Sequence, residues 1–226
     1  MPLAATRPSS EPQPQPQPQP LAPDPDALHR VQRIRKAVLL AAIIGLVGLA
    51  AVAGTPGSEG FEFDLLALAS FLAIVIAIVG RAWCSLYIGG RKKAEIVVLG
   101  PYSLSRNPLY VFSFIGAFGI GAQSGSLVLG VIFLLAAIVV FRLTVRQEEA
   151  WLGATFGQDY ADYKRRTPRF WPRFSNWRDA EQMEVRPVYF LRTLLDGSVL
   201  LLSVPLFAGL QALRDAGVLP TLLTLS

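Results

Sequence analysis

Unbroken apolar runs, rather than alternating or helically striped segments, set the pattern of this chain. They cover about 37–54, 65–84, 109–123, 126–145 and 188–213. A helix needs about 20 apolar residues to cross the hydrocarbon of a bilayer, and only the 109–123 run falls clearly short of that. Transmembrane β-strands would show ten-residue stretches of alternation, and these runs are continuous. The pattern therefore predicts an all-α, polytopic helical membrane protein with about five transmembrane helices. The 109–145 stretch reads as a hairpin around the uncharged AQSGS at 122–126. Its first arm is short and rich in glycine (Gly116, Gly119, Gly121), so a tilted or partly re-entrant pair is the alternative to two full spans. The spacing of Gly121 and Gly125 reads as close helix packing.

Between the runs lie segments of different character. Residues 1–28 are low in complexity, with PQPQPQPQP at 12–20. Such a stretch favours extended polyproline II and has nothing apolar to bury, so a disordered tail is expected. The N-terminal helices then occupy 29–99, the polar motifs and the hairpin 100–172, and a C-terminal extension with the fifth span 173–226.

Composition agrees with the pattern. Apolar residues make up 52% of the chain and charged ones 16%, and the mean hydropathy is +0.43. The net charge of +5 does not point to nucleic acid, because the basic residues crowd beside the spans. Of the 21 lysines and arginines only Arg214 lies outside the N-terminal arm, 81–108 and 142–192. A five-span arrangement puts those three regions on one side, and the positive-inside rule makes it cytoplasmic, with the N-terminus inside. A single cysteine, Cys84, and a single histidine, His29, give no basis for a disulfide or a Cys/His metal centre.

The candidate chemistry sits in two polar stretches flanking the hairpin: GPYSLSRNPLY at 100–110 and RQEEAWLGATFGQDYADYKRRTPRFWP at 146–172. The hairpin returns both to the same membrane face. Asn107-Pro108 has the form of a helix start, with Asn at the cap and Pro at the first helical position. Glu148 and Glu149 follow the end of the fourth apolar run, where a helix C-terminus prefers cations. They are either salt-bridged there to Arg142 and Arg146, or held to hydrogen-bond a ligand. Tyr160, Tyr163, Phe170, Trp171 and Trp177 suit an interfacial aromatic belt, and Lys164, Arg165 and Arg166 suit headgroup contacts. Arg192 and Asp196 read as a snorkelling pair one turn apart. Together these residues describe a polar, cytoplasm-facing pocket roofed by lipid-facing helices, where a soluble cofactor meets a lipid-soluble substrate. They do not name the reaction.

In order and spacing the two stretches resemble the isoprenylcysteine carboxyl methyltransferase family and the related phospholipid methyltransferases, over about 100–172. The resemblance implies S-adenosylmethionine as cofactor and a lipophilic or lipid-linked methyl acceptor in a membrane, bacterial inner membrane by the look of the tail. It assigns Tyr102, Arg106, Asn107, Pro108 and Tyr110 to one wall of the cofactor pocket, and Glu148, Glu149, Tyr160 and Tyr163 to the other. Arg106, Glu149 and Arg169 are the implied catalytic set, Arg169 orienting substrate or loop. Position 107 departs from the better-known members, which carry His; Asn donates and accepts but does not titrate near neutrality. Other readings of the same region are a phospholipid N-methyltransferase, a membrane NADPH-dependent reductase of the sterol-reductase type, and a non-enzymatic membrane scaffold.

Overall fold

A computed structural model describes residues 44–49, 51–54, 60–91, 94–219 and 223–224. The expected tail at 1–28 and most of the first expected span lie outside the described residues. What is described of that span is helical at 44–49 and 51–52, and Leu46 and Leu49 pack on a cluster of Leu129, Phe133 and Phe207. A two-residue parallel pair, β1 (Ala53–Gly54) with β2 (Leu223–Thr224), is the strand content of the described residues.

Helix α1 (Phe61–Ile88) is longer than the apolar run that predicted it. Glu62 and Asp64, which precede the apolar run, form the first turn of the helix, where negative charge meets the positive end of the helix dipole. Ser70, Ile74, Ala77, Ile78, Cys84 and Ser85 are buried along one stripe, while Leu65, Leu68, Leu72, Ile76 and Val79 stay exposed. An apolar face left open on a helix of spanning length is a lipid face.

A single turn, α2 (Pro101–Leu104), precedes α3 (Pro108–Ala122). Helix α3 has 15 residues, about 22 Å of rise against about 30 Å of hydrocarbon, so it is an apolar helix short of a full crossing. It lies between α1 and the next helix. A Cβ on Gly119 would stand 2.8 Å from the carbonyl oxygen of Ser70, and one on Gly121 would stand 2.5 Å from that of Leu129. The hairpin glycines thus let backbones touch. Gly125 instead serves the turn, at φ 84°.

Helix α4 (Leu127–Arg166) corrects the sequence reading. The fourth span was expected to end near 145, yet the helix runs on for 40 residues, about 60 Å. Glu148 and Glu149 are therefore in mid-helix, and the basic Lys164, Arg165 and Arg166 occupy the last turn, where cations belong. Composition signals the end of the apolar run, but Ala, Leu, Gln, Glu and Lys are good helix formers in water as well as in lipid. The one break is Gly157, at φ 51°.

The fifth expected span is α5 (Pro187–Ser198), a 3-10 segment (Val199–Leu202) and α6 (Ser203–Asp215). Pro205 has no N–H to offer a carbonyl one turn earlier, which accounts for the irregular middle. Three helical stretches among the described residues are long and apolar enough to cross a membrane, Phe61–Ile88, Leu127–Arg166 and Pro187–Asp215, with Pro108–Ala122 as a shorter apolar helix. The chain is a polytopic helical membrane protein.

Candidate functional site

The two polar stretches come together as a zipper. Gly100 N–H donates to the Arg178 carbonyl at 2.8 Å, Arg106 N–H to Pro168 at 2.9 Å, and Arg173 N–H to Leu104 at 3.0 Å. The Ser103 hydroxyl accepts from Arg178 N–H at 3.1 Å. Gly100 makes this possible: its φ is 55°, disfavoured for residues with a Cβ, and a Cβ there would enter the Tyr87 ring.

Glu149 closes the zipper. Its side chain is 6% exposed. Asn107 Nδ2 donates to Oε1 at 3.1 Å, the Arg169 guanidinium donates to Oε2, and Arg106 Nε lies 3.3 Å from Oε1. Asn107 Nδ2 also reaches the Arg169 carbonyl at 3.3 Å, to which the Ser105 hydroxyl donates at 3.1 Å. So one buried carboxylate ties α4, the start of α3 and the 168–169 segment together. Asn107 stands at the cap position of α3, but its side chain makes no capping bond; the amide is turned to Glu149 instead. At Glu149 the expected partner Arg146 gives way to arginines distant in sequence. The hydrogen bond to Glu149 raises the Arg169 pKa above its ordinary value.

The neighbouring carboxylate has another partner: Tyr110 donates its hydroxyl to Glu148 Oε2 at 3.1 Å. Tyr163 donates to the Tyr102 carbonyl at 2.7 Å, and the Tyr102 ring packs with Cys84 and Tyr87, where burial pushes its phenol well above the usual tyrosine range. Of the expected belt, Tyr160 and Tyr163 are buried in protein. Phe170 meets Phe114 edge-on at 5.6 Å, Trp177 stacks on Trp83 at 6.0 Å, and Trp171 is exposed.

Beside the Glu149 knot opens a cleft of about 540 Å³ lined by Arg106, Gly153, Gly157, Tyr160, Ala161, Lys164 and Arg165. This volume lies within the range of small-molecule sites, about 300–1,000 Å³. Lys164 Nζ lies 5.9 Å from the Tyr160 ring centroid. Arg106 belongs to both places: Nη1 donates to the Lys164 carbonyl at 3.3 Å, and Nε is buried without a hydrogen-bond acceptor. Its distance to Glu149 is that of an ion pair, but the N–H is not aimed at the carboxylate. Among the described residues, no three His, Cys, Asp or Glu side chains gather to hold a metal ion.

Residues 63–159 match the phospholipid methyltransferase family. The cobalt-zinc-cadmium resistance protein CzcN of Cupriavidus metallidurans is 38% identical over 72% of this chain and 74% of its own length. The nickel-cobalt-cadmium resistance protein NccN of Alcaligenes xylosoxydans xylosoxydans is 40% identical over 68% of this chain and 72% of its own. The chain belongs to the phospholipid methyltransferase family. The protein-S-isoprenylcysteine O-methyltransferase of Schizosaccharomyces pombe is 31% identical over 39% of this chain and 38% of its own length. No solved structure gives a significant match.

Within this family member the structure brings Arg106, Asn107, Glu149 and Arg169 into one cluster and Tyr110 to Glu148. It sets Arg106 and Tyr160 on the cleft. Pro108 opens α3, and Tyr102 and Tyr163 are bound to each other rather than lining the cleft. Ser105, Gly153, Gly157 and Lys164 were not singled out from sequence as pocket residues. Gly153 and Gly157 carried a local signal, as glycines inside a polar stretch.

Proposed function

We propose that this chain is an integral membrane S-adenosylmethionine-dependent methyltransferase, acting at the cytoplasmic face on a lipophilic or lipid-linked acceptor. One observation supports it above the rest: both motif halves converge on buried Glu149, and Arg106 extends from that knot into a cation-lined cleft. The cleft suits the cofactor's chemistry. Arg106, Lys164 and Arg165 line it together, a donor set for a carboxylate. When bound, the cofactor supplies an already electrophilic sulfonium methyl.

The chain's own residues do the positioning. Glu149 fixes the guanidiniums of Arg106 and Arg169 and is itself fully engaged, so it acts as a positioning residue. Tyr160 forms a ring wall, and the glycines at 153 and 157 admit a ligand close to the backbone of α4. The exposed apolar residues of α4, Val139 and Leu143 among them, lie on the helix that carries the cleft and give a lipid-soluble acceptor a route along it. A carboxylate acceptor arrives charged and asks no proton transfer of the protein.

The relatives named for cobalt, zinc, cadmium and nickel resistance favour a setting in which this methylation serves growth under metal load. The test is calorimetry on the detergent-purified chain with S-adenosylmethionine, S-adenosylhomocysteine and NADPH. Saturable binding of the first two, weakened by Lys164→Ala, is expected. Binding of NADPH alone would replace the methyltransferase by a reductase.

A further inference from the structure

Arg81 is the one charged side chain within the apolar run of α1, two turns before its end. An ionisable residue at such a place marks function or runs along the helix to reach water. Arg81 turns across to the neighbouring helix. It is half-buried, and its Nη1 donates across to the hydroxyl of Ser113 on α3. A guanidinium has five N–H donors, and the Ser113 hydroxyl satisfies one. Among the described residues no carboxylate lies within ion-pair distance of it.

The surroundings give this cation a direction. One turn toward the middle of α1, three helices meet tightly: a Cβ on Gly116 of α3 would stand 2.9 Å from Ala77, and one on Gly197 of α5 would stand 3.2 Å from Ile78. Asp196, beside Gly197, lies 4.0 Å from Arg192, is largely exposed, and acts on Arg81 only from beyond ion-pair distance. That junction is an apolar floor beneath Arg81. Toward the site, Ser113 lies one turn from Tyr110, about 5 Å along α3, and Tyr110 donates to Glu148. Arg81 therefore stands between the apolar interior and the polar cluster, with N–H groups in hand.

We propose that Arg81 anchors an oxyanion, carboxylate or phosphate, of the lipophilic acceptor, one helical turn on the apolar side of Tyr110 and Glu148. This rests on the methyltransferase reading for the word acceptor; the lipid oxyanion site itself does not depend on it. A guanidinium fork matches either oxyanion in two-point contact, and the low dielectric around α1 and α3 strengthens the pairing.

The experiment uses the full chain in detergent and follows quenching of tryptophan fluorescence by brominated lipids, Trp83 being two positions from Arg81. Probes are brominated stearate, brominated phosphatidylglycerol and brominated diacylglycerol. Saturable quenching by at least one anionic probe is expected, roughly tenfold weaker in Arg81→Met, partly recovered in Arg81→Lys, with diacylglycerol unaffected by either change. Preference for stearate identifies a carboxylate lipid; preference for phosphatidylglycerol identifies a phosphate lipid. Equal quenching of wild type and Arg81→Met overturns the proposal, as does displacement of the lipid by inorganic phosphate or acetate at comparable concentration. Should Arg81→Met fail to fold by thermal unfolding, Arg81→Lys and Arg81→Gln decide: both matching wild type overturns it as well. S-adenosylmethionine binding is measured on the same samples. Its absence from wild type sinks the methyltransferase reading, and Arg81-dependent quenching alone still establishes the lipid site.

Discussion

The two ends of the α3–α4 hairpin are held by opposite means. At the turn, Gly119 and Gly121 press against the backbone of α1 and α4, Ser126 caps α4 through Leu129 N–H at 3.3 Å, and the contacts are short-range dispersion between small residues. At the other end a single carboxylate is shared by Asn107, Arg106 and Arg169. The first end tolerates no added volume; the second tolerates no lost charge. The contrast also says where function sits, since a cleft lined by Arg106 opens beside the polar end.

The largest effect is expected from Glu149→Gln. Gln still accepts from Asn107, but two guanidiniums lose their counter-charge, one of them 10% exposed. Breaking a buried ion pair from one side costs about 3–5 kcal/mol, and the retained acceptor puts this variant near the low end. Thermal unfolding in detergent should show a large drop, and calorimetry a loss of S-adenosylmethionine affinity in whatever remains folded. An unchanged melting temperature would mean that the knot holds nothing together.

Gly121→Ala probes the opposite end. The new methyl would stand 2.5 Å from the Leu129 carbonyl oxygen, and backbone cannot step aside as a side chain can. Overpacking of this kind costs about 1–3 kcal/mol. Ligand affinity should be unaffected, because the cleft lies at the far end of α4. A fall in affinity equal to that of Glu149→Gln would erase the distinction between the two ends.

The same contrast explains what could be read from the chain. The turn end was legible: the AQSGS break and the glycines announce a tight hairpin whatever the rest of the fold does. At the polar end the motif residues were legible as a group, but their pairing was not. Glu149 has Arg146 nearby in sequence and takes Arg106 and Arg169 instead, because α4 continues through the carboxylates and carries them past the zipper. The apolar run stops near 145 while helix propensity does not, so composition placed a helix end where there is none. Asn107 illustrates the other limit. Its type and the following proline locate the start of α3, but a cap side chain and a buried amide donor look the same in sequence.

Tyr163→Phe is a smaller, local test of the polar end. It deletes the 2.7 Å bond to the Tyr102 carbonyl and leaves a buried acceptor, at about 1 kcal/mol. The melting temperature should fall by a few degrees with the cleft intact. A loss of ligand affinity without loss of stability would instead place the hydroxyl in the cleft.

Asp162→Asn should move stability least and is the sharpest probe of the cleft. Asp162 pairs with Arg165 on the last turns of α4, the two side chains 41% and 70% exposed, and it also accepts from Gln158 at 2.8 Å. Exposed pairs of this kind contribute about 0–1 kcal/mol, so the melting temperature should barely change. Arg165, however, lines the cleft with Arg106 and Lys164, and Asp162 partly neutralises it. Removing that carboxylate charge should therefore tighten binding of an anionic group there by roughly two- to fivefold, an effect that shrinks as salt is raised. Calorimetry with S-adenosylhomocysteine at low and high salt measures both. Tighter, salt-sensitive binding at unchanged stability would show that the cations of this wall act on the ligand, as the Glu149 knot acts on the fold. Unchanged affinity would confine the ligand's carboxylate to Arg106 and leave Arg165 to solvent.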